Sequence, residues 1–148
     1  MYELSLEGLQ NALDTYEIKN EYKICKEYID NIDIHHIVCK RCLRDNSCRR
    51  HTGYDRYLVT VEDSKIIGHS LVAPRFRCKY CNKTFGIFSE YTGRYTSYGN
   101  SFVLNVERDY VVHRFRNVVM LCEHYQISVS TLYEWLSRSS YLKSVSSY

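Results

Sequence analysis

Cys39-Lys40-Arg41-Cys42, then 35 residues, then Cys78-Lys79-Tyr80-Cys81: this stretch decides the fold. Two CxxC pairs around a strand-rich insert are the signature of a four-thiolate zinc ribbon. Two intervening residues let the backbone turn back, so that both sulfurs of a pair meet one metal, and the second pair completes a tetrahedron. Four protein ligands leave no position for a substrate water, so the Zn2+ would be structural. The competing reading is two unrelated pairs or redox dithiols. A redox CxxC needs thioredoxin-like βαβ surroundings, and none are recognisable here. His35 and His36, just before the first pair, and Cys48, six residues after Cys42, are candidate substitute ligands. Cys48 otherwise reads as a partly exposed thiol.

Between the pairs, Tyr57-Leu58-Val59-Thr60-Val61 is β-branched and aromatic and predicts a strand. Glu62 to Lys65 is the polar turn, and Ile66 to Val72 the return strand, with Gly68 as a bulge or close-contact site. Pro74 suits a break or an edge. Arg75-Phe76-Arg77 alternates charged, apolar, charged, as a strand buried on one side does. Thr84, Phe85, Ile87 and Phe88 supply the apolar floor that a small metal domain lacks.

Charge is distributed unevenly along the chain. Residues 1–34 carry 8 acidic and 3 basic side chains, whereas residues 35–95 carry 12 basic and 5 acidic. The ribbon stretch is therefore the electropositive part, suited to phosphate or another acidic partner, with a plain solvated surface as the alternative. Residues 1–34 read as an acidic helical arm. Leu4, Leu6, Leu9, Ala12 and Leu13 fall near helical spacing, as do Tyr22, Ile24, Cys25, Tyr28 and Ile32, and Asn20 can start the second helix. Cys25 lies on the apolar side and reads as a small buried hydrophobe. The arm needs a surface to cover: the ribbon, a second copy of the chain, or another protein. Seven cysteines, an odd number, fit metal ligation plus spare thiols better than a disulfide framework. No apolar run approaches a membrane span and no signal peptide opens the chain, so the expectation is a soluble cytoplasmic protein.

After a polar linker over Tyr91 to Asn100, Ser101 can cap a helix striped by Phe102, Val103, Val106, Tyr110 and Val111. Val118 to Ser137 fits a helix-turn-helix: Leu121, the small Cys122 and Tyr125, a turn, then Ile127, Leu132 and Trp135. Ser128 caps the second helix. The turn holds Gln126 where Gly is usual, and an ordinary helical hairpin is the plainer alternative.

The order of CxxC, Arg50-His51, Gly53-Tyr54-Asp55-Arg56, Arg75 to Phe85 and Ile127 to Leu136 resembles a bacterial transposase-associated family. Its members are short proteins that join a zinc ribbon to a helix-turn-helix and travel with mobile elements. The position after each cysteine pair, often Gly in such ribbons, is Leu43 and Asn82 here. Asn tolerates a left-handed backbone and Leu does so poorly. The residue after the first cysteine, usually Pro, is Lys40. The resemblance implies transposition, which needs a carboxylate triad. Ser139 to Tyr148 hold no acidic residue, and the earlier carboxylates are assigned to helices and turns. The expectation is the DNA-binding end of such a protein and not an enzyme.

The sequence thus predicts an α+β chain: an acidic helical arm over 1–34, a three-stranded zinc ribbon over 35–95 and a helical domain over 96–148. Cys39, Cys42, Cys78 and Cys81 would hold Zn2+. Lys40, Arg41, Arg49, Arg50, Arg75, Arg77, Lys79 and Lys83 would touch phosphates of double-stranded DNA. Ser128, Ser130, Tyr133, Glu134 and Arg138 would face a major groove. The runner-up is a zinc-stabilised protein-interaction module that recruits its partner through the arm and a tyrosine-rich surface.

Overall fold

The computed structural model describes residues 3–86 and 97–142. The chain is α+β, with helices at both ends and an antiparallel three-stranded sheet between them. Helices α1 (Leu6–Leu13), α2 (Tyr16–Lys19) and α3 (Glu21–Asp30) lead through a 3-10 turn (Ile34–His36) into the first cysteine pair. Strands β1 (Cys48–Glu62), β2 (Lys65–Cys78) and β3 (Thr84–Gly86) follow in sheet order β1-β2-β3. Helices α4 (Asn100–Val111), α5 (Val118–Tyr125) and α6 (Val129–Arg138) complete the described chain. No helix among the described residues is long and apolar enough to cross a membrane.

The expected hairpin is present but longer. Asp63 (φ 50°) and Ser64 (φ 65°) both take left-handed backbone, the two-residue turn whose twist matches the flanking strands. β1 begins nine residues before the predicted Tyr57, and β2 runs unbroken through Pro74 into Arg75-Phe76-Arg77. The predicted third strand is thus the end of the second, and the third is Thr84–Gly86. Pro74 escapes breaking the strand because the register shifts there: His51 pairs Arg75 and Tyr54 pairs Ala73, so two residues of β1 face one of β2. Such a bulge leaves a site where a missing N–H costs no ladder bond. Burial along β2 also changes parity at this point, from Leu71 and Ala73 to Pro74, Phe76 and Cys78. The sheet therefore buries one face at its hairpin end and the other beside the cysteines. Gly68 marks close contact and not the bulge: a Cβ there would lie 1.9 Å from the Tyr57 hydroxyl.

Three clusters make the interior. Leu58, Leu71 and Ala73 pack under Cys25, Tyr22 and Ile29 of α3. Phe76 and Phe85 pack with Cys39, Cys48 and Cys78, flanked by Tyr28, Ile32, Ile34 and Ile37. The largest cluster joins Leu4, Leu9 and Leu13 to Phe102, Val106, Leu121, Leu132, Trp135 and Leu136. Most apolar side chains of residues 3–34 thus pack on this chain's own sheet and helices, with Leu6 and Tyr16 left exposed. Ile87, Phe88 and most of the predicted linker lie outside the described residues.

Glu21 fixes the junction between sheet and helices. It is buried, and its carboxylate accepts from Asn100 N (2.6 Å), Ser101 N (3.2 Å) and Ser101 Oγ (3.1 Å). Two of these donors are otherwise unsatisfied N–H groups at the start of α4, and the third is the Ser101 hydroxyl. The predicted cap, Ser101, therefore sits inside the helix, because a carboxylate from a distant helix fills the capping role. Ser101 Oγ accepts instead from Val61 N (3.1 Å), and Val59 accepts from Gly99 N (2.8 Å). Gly99 is required by this closeness, since a Cβ would stand 2.0 Å from Glu21 Oε1 and 3.1 Å from Val59 O. Gly99→Ala should displace the carboxylate and cost about 1–3 kcal/mol. The urea midpoint reads this, and an unchanged midpoint would refute the junction.

Candidate metal centre and its basic flank

Both cysteine pairs form the same local structure. In the first, Leu43 N donates to Cys39 O (2.9 Å) and Cys39 N to Arg44 O (3.1 Å). In the second, Asn82 N donates to Cys78 O (3.1 Å) and Cys78 N to Lys83 O (3.0 Å). Closing each turn requires a left-handed residue, and Leu43 (φ 61°) and Asn82 (φ 60°) supply it. The departures from Gly are accommodated, with Leu43 carrying the less favourable backbone and an exposed side chain. Arg41 N and Tyr80 N point at the Cys39 and Cys78 sulfurs, each at 3.4 Å.

The two turns meet so that all four sulfurs lie within 4.8 Å of one another. Cys39 and Cys81 are 3.5 Å apart and Cys42 and Cys78 3.6 Å, sulfur to sulfur. A tetrahedron with 2.3 Å metal–sulfur bonds has edges of about 3.8 Å, so the cluster fits a thiolate-bound metal. The surroundings favour thiolates at two of the four, Cys39 and Cys78, whereas Cys42, despite a hydrogen bond from the Arg44 backbone, is pushed up to about 11 by burial and the neighbouring sulfurs. The Ser47 hydroxyl, 3.5 Å from the sulfur, pulls Cys78 down to about 5, helped by the Cys81 and Tyr80 N–H groups. The Cys42 N–H does the same for Cys39, whose thiol is also lowered. Ser47, fully buried, was not singled out in the sequence. It also binds the second turn directly, accepting from Lys79 N at 2.7 Å, and nothing in its polar neighbourhood marks it beforehand.

The substitute ligands stand aside. His35 Nδ1 meets Asn46 Oδ1 (3.1 Å) and His36 Nε2 meets Asp33 (3.3 Å). Cys48 is buried where exposure was expected. It packs beside Cys39 and Cys78 without joining the four, and burial raises its thiol. Cys25 is buried as a small hydrophobe, pushed up to about 11 by desolvation.

The opposite face of the same strands is basic. Arg49 stands across from Arg77 and His51 across from Arg75. Directly opposed like charges destabilise a ladder. None of the three arginines has an acidic partner among the described residues, and Arg77 Nε is buried with no hydrogen-bond partner there. Arg75 and Arg77 are half-buried and not fully projecting. Arg50 leans over the Phe76 ring at 5.8 Å from the opposite side. Lys40 Nζ donates to Gly86 O (3.2 Å) and lies over Phe85. Arg41, Lys79 and Lys83 are exposed around the turns.

At the other end, α4, α5 and α6 pack on one another. Gln126 closes α5 with left-handed backbone (φ 54°, ψ 46°), so it does the work expected of Gly. Ser128 caps α6, accepting from Thr131 N at 3.1 Å, which commits its hydroxyl locally. Leu132, Trp135 and Leu136 are buried, leaving Ser130, Tyr133, Glu134 and Arg138 exposed. Arg138 Nη1 lies 3.0 Å from Glu134 Oε1 one turn away. Three buried ionisable groups, Asp109, Glu107 and Glu21, escaped the sequence reading because helical periodicity marks apolar positions only. No protein-family model, curated protein or solved structure matches this chain, so its function is read from its own residues.

Proposed function

We propose that the protein binds duplex DNA with sequence preference, as a zinc-stabilised, non-catalytic protein of mobile-element type. Zn2+ on Cys39, Cys42, Cys78 and Cys81 holds the sheet end together. The Arg49, Arg75 and Arg77 face meets phosphates, and the outer side of α6 enters a major groove. The observation that carries this reading is an arginine face with no acidic partner among the described residues, with opposed Arg49 and Arg77 and a buried Arg77 Nε that has no acceptor among them. A row of like charges is tolerated where a polyanion completes it. The short connection from α5 to α6 through Gln126, Ile127 and Ser128, and the solvent-facing Ser130, Tyr133 and Glu134, support the reading role of α6.

The two surfaces should separate experimentally. Arg75→Ala with Arg77→Ala should weaken binding to all duplexes alike and flatten the salt dependence by up to about two, since each phosphate contact adds about 0.9 to the slope. Glu134→Ala should act differently. A carboxylate repels phosphate and helps only by accepting from a base or ordering a neighbour, here Arg138. Affinity for random DNA should hold or rise, while the ratio of selected to scrambled site falls about tenfold, within the 1–3 kcal/mol of a good base contact. Selection from random duplexes with zinc-loaded protein supplies the site, and titrations at several salt concentrations supply the ratios. No enrichment together with salt-independent retention would replace DNA with a protein partner.

A further inference from the structure

We propose that the cavity between α2, α4 and the segment after α6 binds a small organic cation, with a primary ammonium seated on Glu107 and a short apolar tail beside it. Glu107 is 2% exposed. The other two buried carboxylates among the described residues are fully served: Glu21 by three donors at the start of α4, and Asp109 by Arg108, Arg114 and Tyr125. Glu107 has a single neutral hydrogen bond, from Ser139 Oγ at 3.0 Å, and no ion pair among the described residues. A buried carboxylate without a cation is costly, and such a group calls for an explanation.

The cavity beside it supplies one. It holds about 250 Å³ and opens to solvent. At roughly 30 Å³ per water it has room for about eight waters, or a ligand of similar bulk. Ile18, Val103, Leu104 and Tyr141 give it an apolar wall, Ser139 adds an oxygen beside the carboxylate, and Asn100 lines the cavity further along α4. Arg138, the cation in the lining, is held at Glu134 (3.0 Å). An ammonium brings three donors, which Glu107 and the Ser139 oxygen can accept, and its chain covers the apolar wall. An anion would meet the carboxylate, and a neutral alcohol would leave it uncompensated. Burial holds the carboxyl up at about 7, which keeps the site inexpensive when empty and lets a cation draw it into the ionised form.

The test titrates the isotope-labelled full chain with n-butylammonium, benzylammonium, n-butanol and butyrate at pH 7.5 and constant ionic strength, reading amide shifts. Saturable shifts at Val103, Leu104, Ser139 and Tyr141 are expected with the ammonium ions only. Glu107→Gln, which keeps the shape and the Ser139 bond, should weaken them at least tenfold. Ile18→Trp, which fills the mouth and leaves the carboxyl, should weaken them as much. Should Glu107→Gln fail to fold, the Ile18→Trp comparison decides alone. Absence of saturation with both ammonium ions, equal shifts with butanol, or undiminished binding to the folded variants would each overturn the proposal and leave a water-filled void beside a protonated acid.

Discussion

Stripping the metal from zinc-loaded protein should melt the cysteine end of the sheet while the helical core stays folded. Among the described residues the cluster around the sulfurs is small: Phe76 and Phe85 are its buried apolar side chains besides the cysteines, with Tyr28, Ile32, Ile34 and Ile37 partly buried beside them, and Cys39 and Cys78 belong to the proposed metal site. Two phenyl rings contribute only a few kcal/mol of burial, against roughly 10–16 kcal/mol from a structural zinc. Without it, four thiols within 4.8 Å lose their common partner and the strained Leu43 backbone loses its support. The hairpin end is held separately, by α3 over Leu58 and Leu71 and by Val59 bonded to Ser97 and Gly99. Amide signals of residues 48–51 and 75–86 should collapse in chelator, while the single Trp135, 3% exposed in the helical core, keeps its emission. Cys78→Ser should reproduce this, and metal analysis should find one zinc in Cys25→Ser, Cys48→Ala and Cys122→Ser. Metal-free protein with every one of those amides in place would remove the zinc from the account.

Asp109→Ala should cost about 3–5 kcal/mol, the usual penalty for breaking a buried ion pair. Asp109 is 1% exposed on α4. Its Oδ2 accepts from Arg114 Nη1 at 2.8 Å and from the Tyr125 hydroxyl on α5, and Arg108 Nη2 stands 3.4 Å from Oδ1. Burial first, and the Asp109 carboxylate second, raise the Tyr125 phenol, so it stays a donor throughout the neutral range. The same carboxylate raises Arg114. Truncating Asp109 leaves a buried hydroxyl without an acceptor and removes the clamp between α4 and α5. Tyr125→Phe leaves both arginines on Asp109 and should cost less, about 1–2 kcal/mol. At about 2–4 °C per kcal/mol, the first variant should melt roughly 10 °C lower. In a double-mutant cycle the two should couple by 1 kcal/mol or more. Additive losses would show that the side chains share a neighbourhood and no network.

Residue spacing alone determined a good part of this protein. The cluster of four cysteines was legible because two CxxC pairs, each closed by a fixed local turn, can bring four sulfurs to one point. The hairpin was legible from β-branched residues around a polar turn, and α6 from Leu132, Trp135 and Leu136 at helical intervals, with Ser128 as its cap. These features are local, and the forces that set them act over a few residues. What joins distant residues was decided by tertiary structure. Pro74 sits in a long strand because the partner strand bulges opposite it, which no pattern within β2 announces. Ser101 lost its capping role to Glu21, 80 residues away, whose carboxylate reaches the same N–H groups. The acidic arm of residues 1–34, for which the pattern left open whether the ribbon or another copy would cover it, contributes side chains to all three clusters of the same chain. Asp109 and Glu107 look like the polar face of an amphipathic helix, yet α4 is buried all round because helices and the sheet close over it. A charge on a helix is placed by periodicity, but whether it meets water or another side chain depends on what packs above it.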